Sequence, residues 1–212
     1  MLLNLNDIIK KYDLKIEGVL HIGAHFGEEY ESYVSNNIKN LTFFEPVPTT
    51  FQRLKNKLEG KAILVNTALG NETGKITMNV ETANQGQSSS ILKPALHLSQ
   101  YPHIKFEDKI EVDITTLDEY MTSFYSTGFI GDAPKYNMIN IDVQGYELEV
   151  FKGAAKTLEN INYIVTEVNR DVVYHQCAFV EDLDEYLGKY NFKRVETTWD
   201  GGTWGDALYV KG

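Results

Sequence analysis

Short apolar runs alternate with segments of helical spacing over the first third of the chain. The runs at residues 18–23, 41–48 and 62–70 have the length and apolar character of buried strands, the second being stopped by Pro46 and Pro48. Between them, apolar side chains recur at intervals of three and four, which is typical of helices packed on one face. The pattern therefore predicts β-α-β-α-β, the signature of a parallel sheet with crossover helices.

Polar signals predict where the early helices begin and end. A short opening helix is expected with Asn6 as its N-cap, and the next helix is expected to begin near Phe26. Thr49 and Gln52 have the spacing of a capping box for the third helix, and Gly60 is expected to end it.

The remainder of the chain continues the strand and helix pattern less regularly. Extra strands are predicted at residues 74–81 and 109–116, buried strands at 138–143 and 163–168, and a closing antiparallel hairpin over 192–211. Residues 123–134 read as a loop. Helices are predicted after a capping box at Thr116 and Glu119, along Leu148, Phe151, Ala155 and Leu158, and along Val180, Leu183 and Leu187.

Length and composition indicate one domain over residues 1–212, with residues 1–17 as a helical lead-in. The net charge of −10 gives no basic field for nucleic acid, and no apolar run is long enough for membrane insertion. No signal-peptide pattern is present, and the single cysteine excludes an internal disulfide. We therefore expect a cytoplasmic protein whose oligomeric state is open.

The segment HIGAHFGEE, residues 21–29, links the first strand to the following helix. Its glycines, Gly23 and Gly27, allow the backbone to approach a ligand closely. Glu45, at the end of the second strand, is placed to accept hydrogen bonds from both hydroxyls of a ribose. Enzymes that use NAD and enzymes that use S-adenosylmethionine share these features.

Two glutamates in this segment favour S-adenosylmethionine. Glu28 and Glu29 are expected in the first turn of the helix, where they would repel a pyrophosphate. S-adenosylmethionine has no phosphate and carries a sulfonium and an ammonium group. The glutamates could instead only satisfy the helix dipole, but the absence of a complete GxGxxG fingerprint still counts against NAD.

The order of five motifs resembles the FkbM family of S-adenosylmethionine-dependent methyltransferases. The motifs are HIGAHFGEE, FFEPVP, TLDEY, INIDVQGYELEVFKGA and IVTEVN, between about Gly18 and Asn169. The resemblance implies an α/β, Rossmann-like class I methyltransferase fold, with a seven-stranded, mostly parallel sheet whose last strand is antiparallel. It also implies O-methylation, usually of sugars. The sequence departs from the family at His21 and His25, where many members carry an acid and an asparagine.

We expect cofactor contacts from the turn after the first predicted strand and from residues in or near the ends of later strands. The predicted cofactor-binding residues are His21, Gly23, Ala24, His25, Gly27, Glu28, Glu45, Pro46, Thr67, Ala68, Asp142 and Val143.

Methyl transfer to a hydroxyl requires a base for its proton, and a positioned base contributes ~10²–10⁴-fold. The candidates are Asp142 and Glu167, each at the end of an apolar strand, and His25 in the cofactor turn. Capping or structural hydrogen bonding would also explain these residues. Asp142, Glu167 and Asn169 could alternatively hold Mg²⁺, because oxygen ligands suit a hard cation.

The acceptor is expected to be a small molecule or glycan. The predicted contacts are Ser89, Ser90, Gln144, Asn169, Trp204 and Asp206. The leading hypothesis is an S-adenosylmethionine-dependent O-methyltransferase acting on a carbohydrate hydroxyl. The alternatives are an NAD-dependent sugar oxidoreductase or epimerase, and a cofactor-binding domain without catalysis.

Overall fold

Ten strands and seven α-helices are formed by the residues that the computed structural model of the protein describes, 2–127 and 133–212. The strands are β1 (Gly18–Ile22), β2 (Asn40–Phe44), β3 (Ile63–Val65), β4 (Ala68–Leu69), β5 (Gly74–Val80), β6 (Asp108–Thr115), β7 (Met138–Ile141), β8 (Tyr163–Asn169), β9 (Phe192–Trp199) and β10 (Trp204–Lys211). The helices are α1 (Leu5–Tyr12), α2 (Tyr30–Ser35), α3 (Pro48–Leu58), α4 (Leu96–Gln100), α5 (Leu117–Ser126), α6 (Glu147–Lys152) and α7 (Val180–Gly188), with a 3₁₀ turn at Thr157–Asn160.

The main sheet has seven strands in the order β3-β2-β1-β7-β8-β10-β9. All neighbours are parallel except β10, which runs antiparallel to both β8 and β9. This is the seven-stranded class I layout that the family resemblance implies, with the last strand inserted antiparallel. A second sheet, β4-β6-β5, lies beside it.

The core lies on both faces of the main sheet, because successive residues of a strand point to opposite sides. Leu20 and Ile22 of β1 belong to one buried apolar cluster, whereas Val19 belongs to the other. All five residues of β1 are buried, which explains its continuous apolar run. Among the described residues, none of the helices has the length and apolar character needed to cross a membrane.

The helices α5 and α7 and the closing hairpin agree with the prediction. Thr116 caps α5 and accepts a hydrogen bond from the backbone N–H of Glu119 at 3.1 Å. The hairpin pairs β9 with β10 as expected. The predicted loop at 123–134 is wrong at its start, because α5 extends to Ser126. Residues 128–132 of that loop lie outside the described part of the chain.

Two predicted helix caps are wrong. Asn4 caps α1 in place of Asn6, and its side chain accepts from the backbone N–H of Asp7. Pro48 occupies the first turn of α3, so Thr49 lies inside the helix and the expected capping box does not form. Proline has the φ angle of a helix and suits its first position, so the helix starts two residues earlier than the predicted box would place it.

Three predicted elements differ in extent. The segment at 25–29 forms turns rather than a helix, because His25 and Gly27 have positive φ, and α2 begins only at Tyr30. The single strand predicted at 62–70 is two strands, since Asn66 donates to the carbonyl oxygens of Glu45 and Pro46 and turns the chain between them. The helix expected from Leu148 to Leu158 ends at Lys152 and is followed by the 3₁₀ turn.

Candidate active site

Two connected hollows lie at the carboxyl ends of β1, β2, β7 and β8. The larger is a cleft of about 560 Å³, and the smaller is a narrow pocket of about 60 Å³. Five residues line both hollows and form their junction: Gly23, His25, Gln87, Asp142 and Gln144. In open α/β sheets this edge is where ligands bind.

Gly23 brings the turn after β1 into contact with the turn after β7. Its φ is +77°, and a Cβ atom at this position would lie 1.9 Å from the carbonyl oxygen of Asp142. The backbone N–H of Asp142 donates to Ile22 at 3.0 Å, which fixes the two turns together. Any side chain at Gly23 would separate them.

Glu45 is the acid that lines the narrow pocket. Its Oε2 accepts from the backbone N–H of His25 at 3.0 Å, and its Oε1 accepts from that of Val47 at 2.8 Å. Burial raises the pKa of Glu45 to about 7 despite these bonds. The other walls of the pocket are largely apolar: Ile22, Phe44, Val47, Ala68, Leu69, Met78, Ile91 and Val143.

His25 has hydrogen-bonding partners at both ring nitrogens. Its Nδ1 lies 2.8 Å from a carboxylate oxygen of Glu28, and its Nε2 lies 3.0 Å from the carbonyl oxygen of Gln85. Burial lowers the pKa of His25, but the bonds to Glu28 and Gln85 outweigh it and leave the pKa raised. A ring that donates from both nitrogens is held in its charged form and has no free lone pair for a proton.

His21 is buried and held in one orientation by two neighbours. Asn140 donates to the hydroxyl of Tyr33 at 2.6 Å, and that hydroxyl lies 3.1 Å from Nδ1 of His21. Burial lowers the pKa of His21 and favours the neutral ring. Nδ1 then accepts from Tyr33, so the remaining proton lies on Nε2, 3.9 Å from a carboxylate oxygen of Glu29.

Gln144 joins the two carboxylates at the floor of the cleft. Its Nε2 donates to Asp142 at 2.7 Å and to Glu167 at 2.9 Å. The hydroxyl of the fully buried Tyr174 donates to Oε1 of Gln144 at 2.7 Å, which fixes the orientation of the amide. The hydroxyl of Ser90 fixes the backbone of Gln144 by donating to the Gln144 carbonyl oxygen at 2.8 Å.

The carboxylates of Asp142, Glu147 and Glu167 are close enough to be considered as metal ligands, with oxygens within 4.8 Å of one another. The carboxylate of Glu147 already accepts hydrogen bonds from the backbone N–H groups of Val143 and Gly145, and these occupy the lone pairs of its Oε1 that a metal ion would need. The amide of Gln144 donates to both other carboxylates, where a cation would have to bind. The donor set as folded therefore does not fit a divalent ion.

Glu167 lies directly opposite Asp206 in the pairing of β8 with β10. Burial raises the pKa of Glu167, and the nearby charges of Asp142, Glu147 and Asp206 raise it further. Burial also raises the pKa of Asp206, although its carboxylate accepts from the backbone N–H groups of Leu2 and Leu3. The far end of the cleft is thus strongly acidic.

The structure brings most of the predicted site residues to the two hollows. Those lining the narrow pocket are Gly23, His25, Glu45, Pro46, Thr67, Ala68, Ser89, Asp142, Val143 and Gln144. Those lining the cleft are His21, Gly23, Ala24, His25, Glu28, Asp142, Gln144, Glu167, Trp204 and Asp206.

Three predicted residues line neither hollow. A Cβ atom at Gly27 would contact Leu54 and Leu58, so this glycine serves the packing of α3. Ser90 is fully buried and acts through Gln144. Asn169 is 1% exposed and lies at the end of β8, two residues beyond Glu167.

Several residues of the cleft were missed by sequence reasoning. His97 and Tyr101 come from α4 and its C-terminal end, and Val173 comes from the loop after β8. The segment around α4 is held there by backbone bonds from Ala95 and His97 to Val173. Tertiary contacts bring the segment to the cleft, and no local spacing signals them.

A family model described as the methyltransferase FkbM domain matches residues 21–194. The hexuronic acid methyltransferase AglP of Haloferax volcanii is 26% identical over 154 residues, which cover 71% of this chain and 55% of the relative. The 2-O-methyltransferase NoeI of Sinorhizobium fredii is 26% identical over 164 residues, covering 74% of this chain and 65% of the relative. The matches thus span only about half to two-thirds of the length of these relatives.

A crystal structure of a methyltransferase FkbM from Methylobacillus flagellatus has the same fold. The TM-score is 0.58 at 16% identity, and the match covers 92% of this chain and 43% of that one.

Proposed function

The chain belongs to the methyltransferase FkbM domain family, and on that premise we propose that it is an S-adenosylmethionine-dependent O-methyltransferase acting on a carbohydrate hydroxyl. The observation that carries the proposal is the junction of the two hollows at Gly23 and Asp142. A methyl group transferred there would pass directly from one compartment to the other, as an in-line displacement requires.

The narrow pocket suits the adenosine end of the cofactor. Each carboxylate oxygen of Glu45 uses one lone pair on a backbone N–H and keeps another for a ribose hydroxyl. The apolar lining from Phe44, Met78 and Val143 suits an adenine ring. A diphosphate would meet Glu28 and Glu29 at the adjoining turn, which counts against NAD.

The chain's own residues would prepare the acceptor. When bound, S-adenosylmethionine supplies an electrophilic methyl group on a sulfonium. Asp142 lies at the junction, where its carboxylate would take the hydroxyl proton as the oxygen bonds to the methyl carbon and the carbon–sulfur bond breaks to release S-adenosylhomocysteine. Gln144 would hold that carboxylate in place, since its amide donates to Asp142 and is itself fixed by Tyr174.

Asp142 is a better base than His25 on the geometry of the site. Both nitrogens of His25 lie within hydrogen-bonding distance of acceptors that favour its charged form. Glu167 is the second candidate, because its pKa is raised and a buried carboxylate accepts a proton readily.

A carbohydrate acceptor is supported by the relatives and by the lining of the cleft. AglP is named for a hexuronic acid, although it and NoeI extend well beyond the matched region. The cleft presents Tyr101 and Trp204 next to polar side chains. Sugars offer an apolar ring face and a set of hydroxyls to such a surface.

The proposal is tested by cofactor binding and by product analysis. We expect S-adenosylhomocysteine to bind in calorimetry and NAD not to bind. Incubation with a panel of glycan acceptors and isotopically labelled donor should give a methylated product in mass spectrometry. Binding of NAD alone would support the oxidoreductase alternative, and cofactor binding without product from any acceptor would support a non-catalytic domain.

A further inference from the structure

The charge of the larger cleft restricts its acceptor. Its lining holds five carboxylates and, among the described residues, neither lysine nor arginine. The carboxylates belong to Glu28, Glu29, Asp142, Glu167 and Asp206. An anionic acceptor would therefore find neither a lysine nor an arginine in the described lining, and the charged ring of His25 is already paired with Glu28.

The acidic groups converge at one end of the cleft. Glu167 and Asp206 face each other across paired strands and are 5% and 4% exposed. A carboxylate oxygen of Asp142 lies within 4.8 Å of one on Glu167. Like charges so close in a poorly solvated site repel one another, and a bound cation would relieve that repulsion.

Asn169 places polar atoms that are unpaired within residues 2–127 and 133–212 behind this end of the cleft, although it does not itself line the cleft. It lies two residues beyond Glu167 in β8, so its side chain is on the same face of the sheet. Neither Nδ2 nor Oδ1 of this buried side chain has a hydrogen-bond partner among the described residues. Buried polar groups are rarely left unpaired, so the side chain behind Glu167 has hydrogen-bonding capacity that the described chain leaves unused.

An aromatic wall adjoins the acidic floor. Trp204 is two residues from Asp206 on the same strand, and its Nε1 donates to the hydroxyl of Tyr101 at 2.9 Å. His97, 5% exposed, also lines the cleft, and its Nδ1 has no partner in the described part of the chain. Aromatic faces beside carboxylates form a favourable site for an ammonium group.

We propose that the acceptor is a hydroxyl compound that also carries a protonated amine, such as an amino sugar, whose ammonium binds between Glu167 and Asp206 beside Trp204. This inference rests on the proposed methyltransferase function and narrows its substrate class. A uronate, the kind of acid for which AglP is named, would be repelled by the same carboxylates.

The test compares matched probes on protein saturated with S-adenosylhomocysteine. The probes are the methyl glycosides of glucosamine, glucose, glucuronic acid and N-acetylglucosamine, titrated in a calorimeter at neutral pH and low salt. We expect the amine to bind at least about tenfold more tightly than the neutral sugar, because the charged pair is poorly solvated. The N-acetyl probe should lose this advantage, and the uronate should bind most weakly.

Two substitutions test whether the preference for the amine probe arises at Asp206. Asp206→Asn should reduce the preference for the amine over the neutral sugar by about tenfold, through loss of one carboxylate. The matched control is Asp113→Asn, which removes an exposed aspartate on β6 that pairs with Lys75 and does not line the cleft. It should retain the full preference, and the melting temperatures of both variants show whether they are folded.

The outcomes separate this inference from the function on which it rests. Equal binding of the amine and neutral probes, tighter binding of the uronate, or no detectable binding of the amine would overturn the inference. Methyl transfer to a neutral or acidic acceptor would then still support the methyltransferase. Failure of S-adenosylhomocysteine to bind would instead remove the proposed function.

Discussion

The carboxylate of Glu45 accepts a hydrogen bond from the backbone N–H of His25 at 3.0 Å. The acid that follows β2 is thereby tied to the turn that follows β1. The same carboxylate also accepts from Val47, at the start of α3. Three segments of the chain thus fix the position of one cofactor-binding candidate before any ligand arrives.

Substitution Glu45→Gln is expected to weaken binding of S-adenosylhomocysteine by about 1.5–3 kcal/mol, the value of a hydrogen bond to a charged group. Calorimetry measures the change. Glu59→Gln is the matched control, because Glu59 is exposed, pairs with Lys55 of α3 and lines neither hollow. Unchanged affinity in a folded Glu45→Gln protein would exclude Glu45 from the ribose contact.

Cofactor affinity should also depend on pH through Glu45. Burial raises the pKa of this carboxyl to about 7, so below pH 7 it is protonated and loses accepting capacity. Affinity should therefore rise between pH 6 and pH 8 and level off above. Calorimetry across this range should show the rise in the native protein and a flatter profile in Glu45→Gln. Identical profiles for the two proteins would contradict the prediction.

Asp142→Asn should reduce turnover by at least ~10²-fold, the lower end for a positioned base. Asparagine is nearly isosteric and caps a turn about as well, so a purely structural role predicts little change. Turnover and melting temperature should be measured on the same sample, with Asp113→Asn as the control. Near-normal turnover would move the search for the base to Glu167.

Chelation should leave activity intact. The amide of Gln144 donates to both Asp142 and Glu167, and Glu147 is held by backbone N–H groups. We therefore expect full turnover in excess EDTA and no stimulation by Mg²⁺ or Mn²⁺. Loss of activity in EDTA, with recovery on adding Mg²⁺, would show instead that a cation displaces Gln144 and activates the hydroxyl.

Glu167→Gln should stabilise the fold while it lowers activity. The pKa of Glu167 is raised in the folded protein by burial and by neighbouring carboxylates. The folded state thus holds the Glu167 proton more tightly than the unfolded state does. This protonated carboxyl therefore contributes stability at low pH, and the contribution is lost as the pH rises above 4.5, the ordinary pKa of a glutamate.

Thermal unfolding checks this prediction. The melting temperature of Glu167→Gln should exceed that of the native protein by more at pH 8 than at pH 5. Each kcal/mol gained in the free energy of unfolding should raise the melting temperature by about 2–4 °C. A destabilised variant at pH 8 would mean that the hydrogen bond from Gln144 outweighs the repulsion.

The sequence predicts the sheet well because its parallel strands are buried on both faces and therefore appear as continuous apolar runs. It predicts caps and boundaries less well, because Pro48 and Asn66 act through local contacts that the apolar spacing does not encode. Asp142 and Glu167 could be placed at one edge because parallel strands end together. The hydrogen bonds from Gln144 that join Asp142 to Glu167 could not be predicted, because they depend on the side-chain orientation that Tyr174 imposes on Gln144.

The inserted position of β10 has a consequence for how the chain folds during synthesis. β10 is the last strand in chain order that the structure describes, yet it lies between β8 and β9 and pairs with both. Until it has left the ribosome, β8 has an unpaired edge that could template aggregation. The acidic end of the cleft, where Asp206 meets Glu167, is therefore assembled last, and a nascent chain lacking β10 would be a target for chaperones.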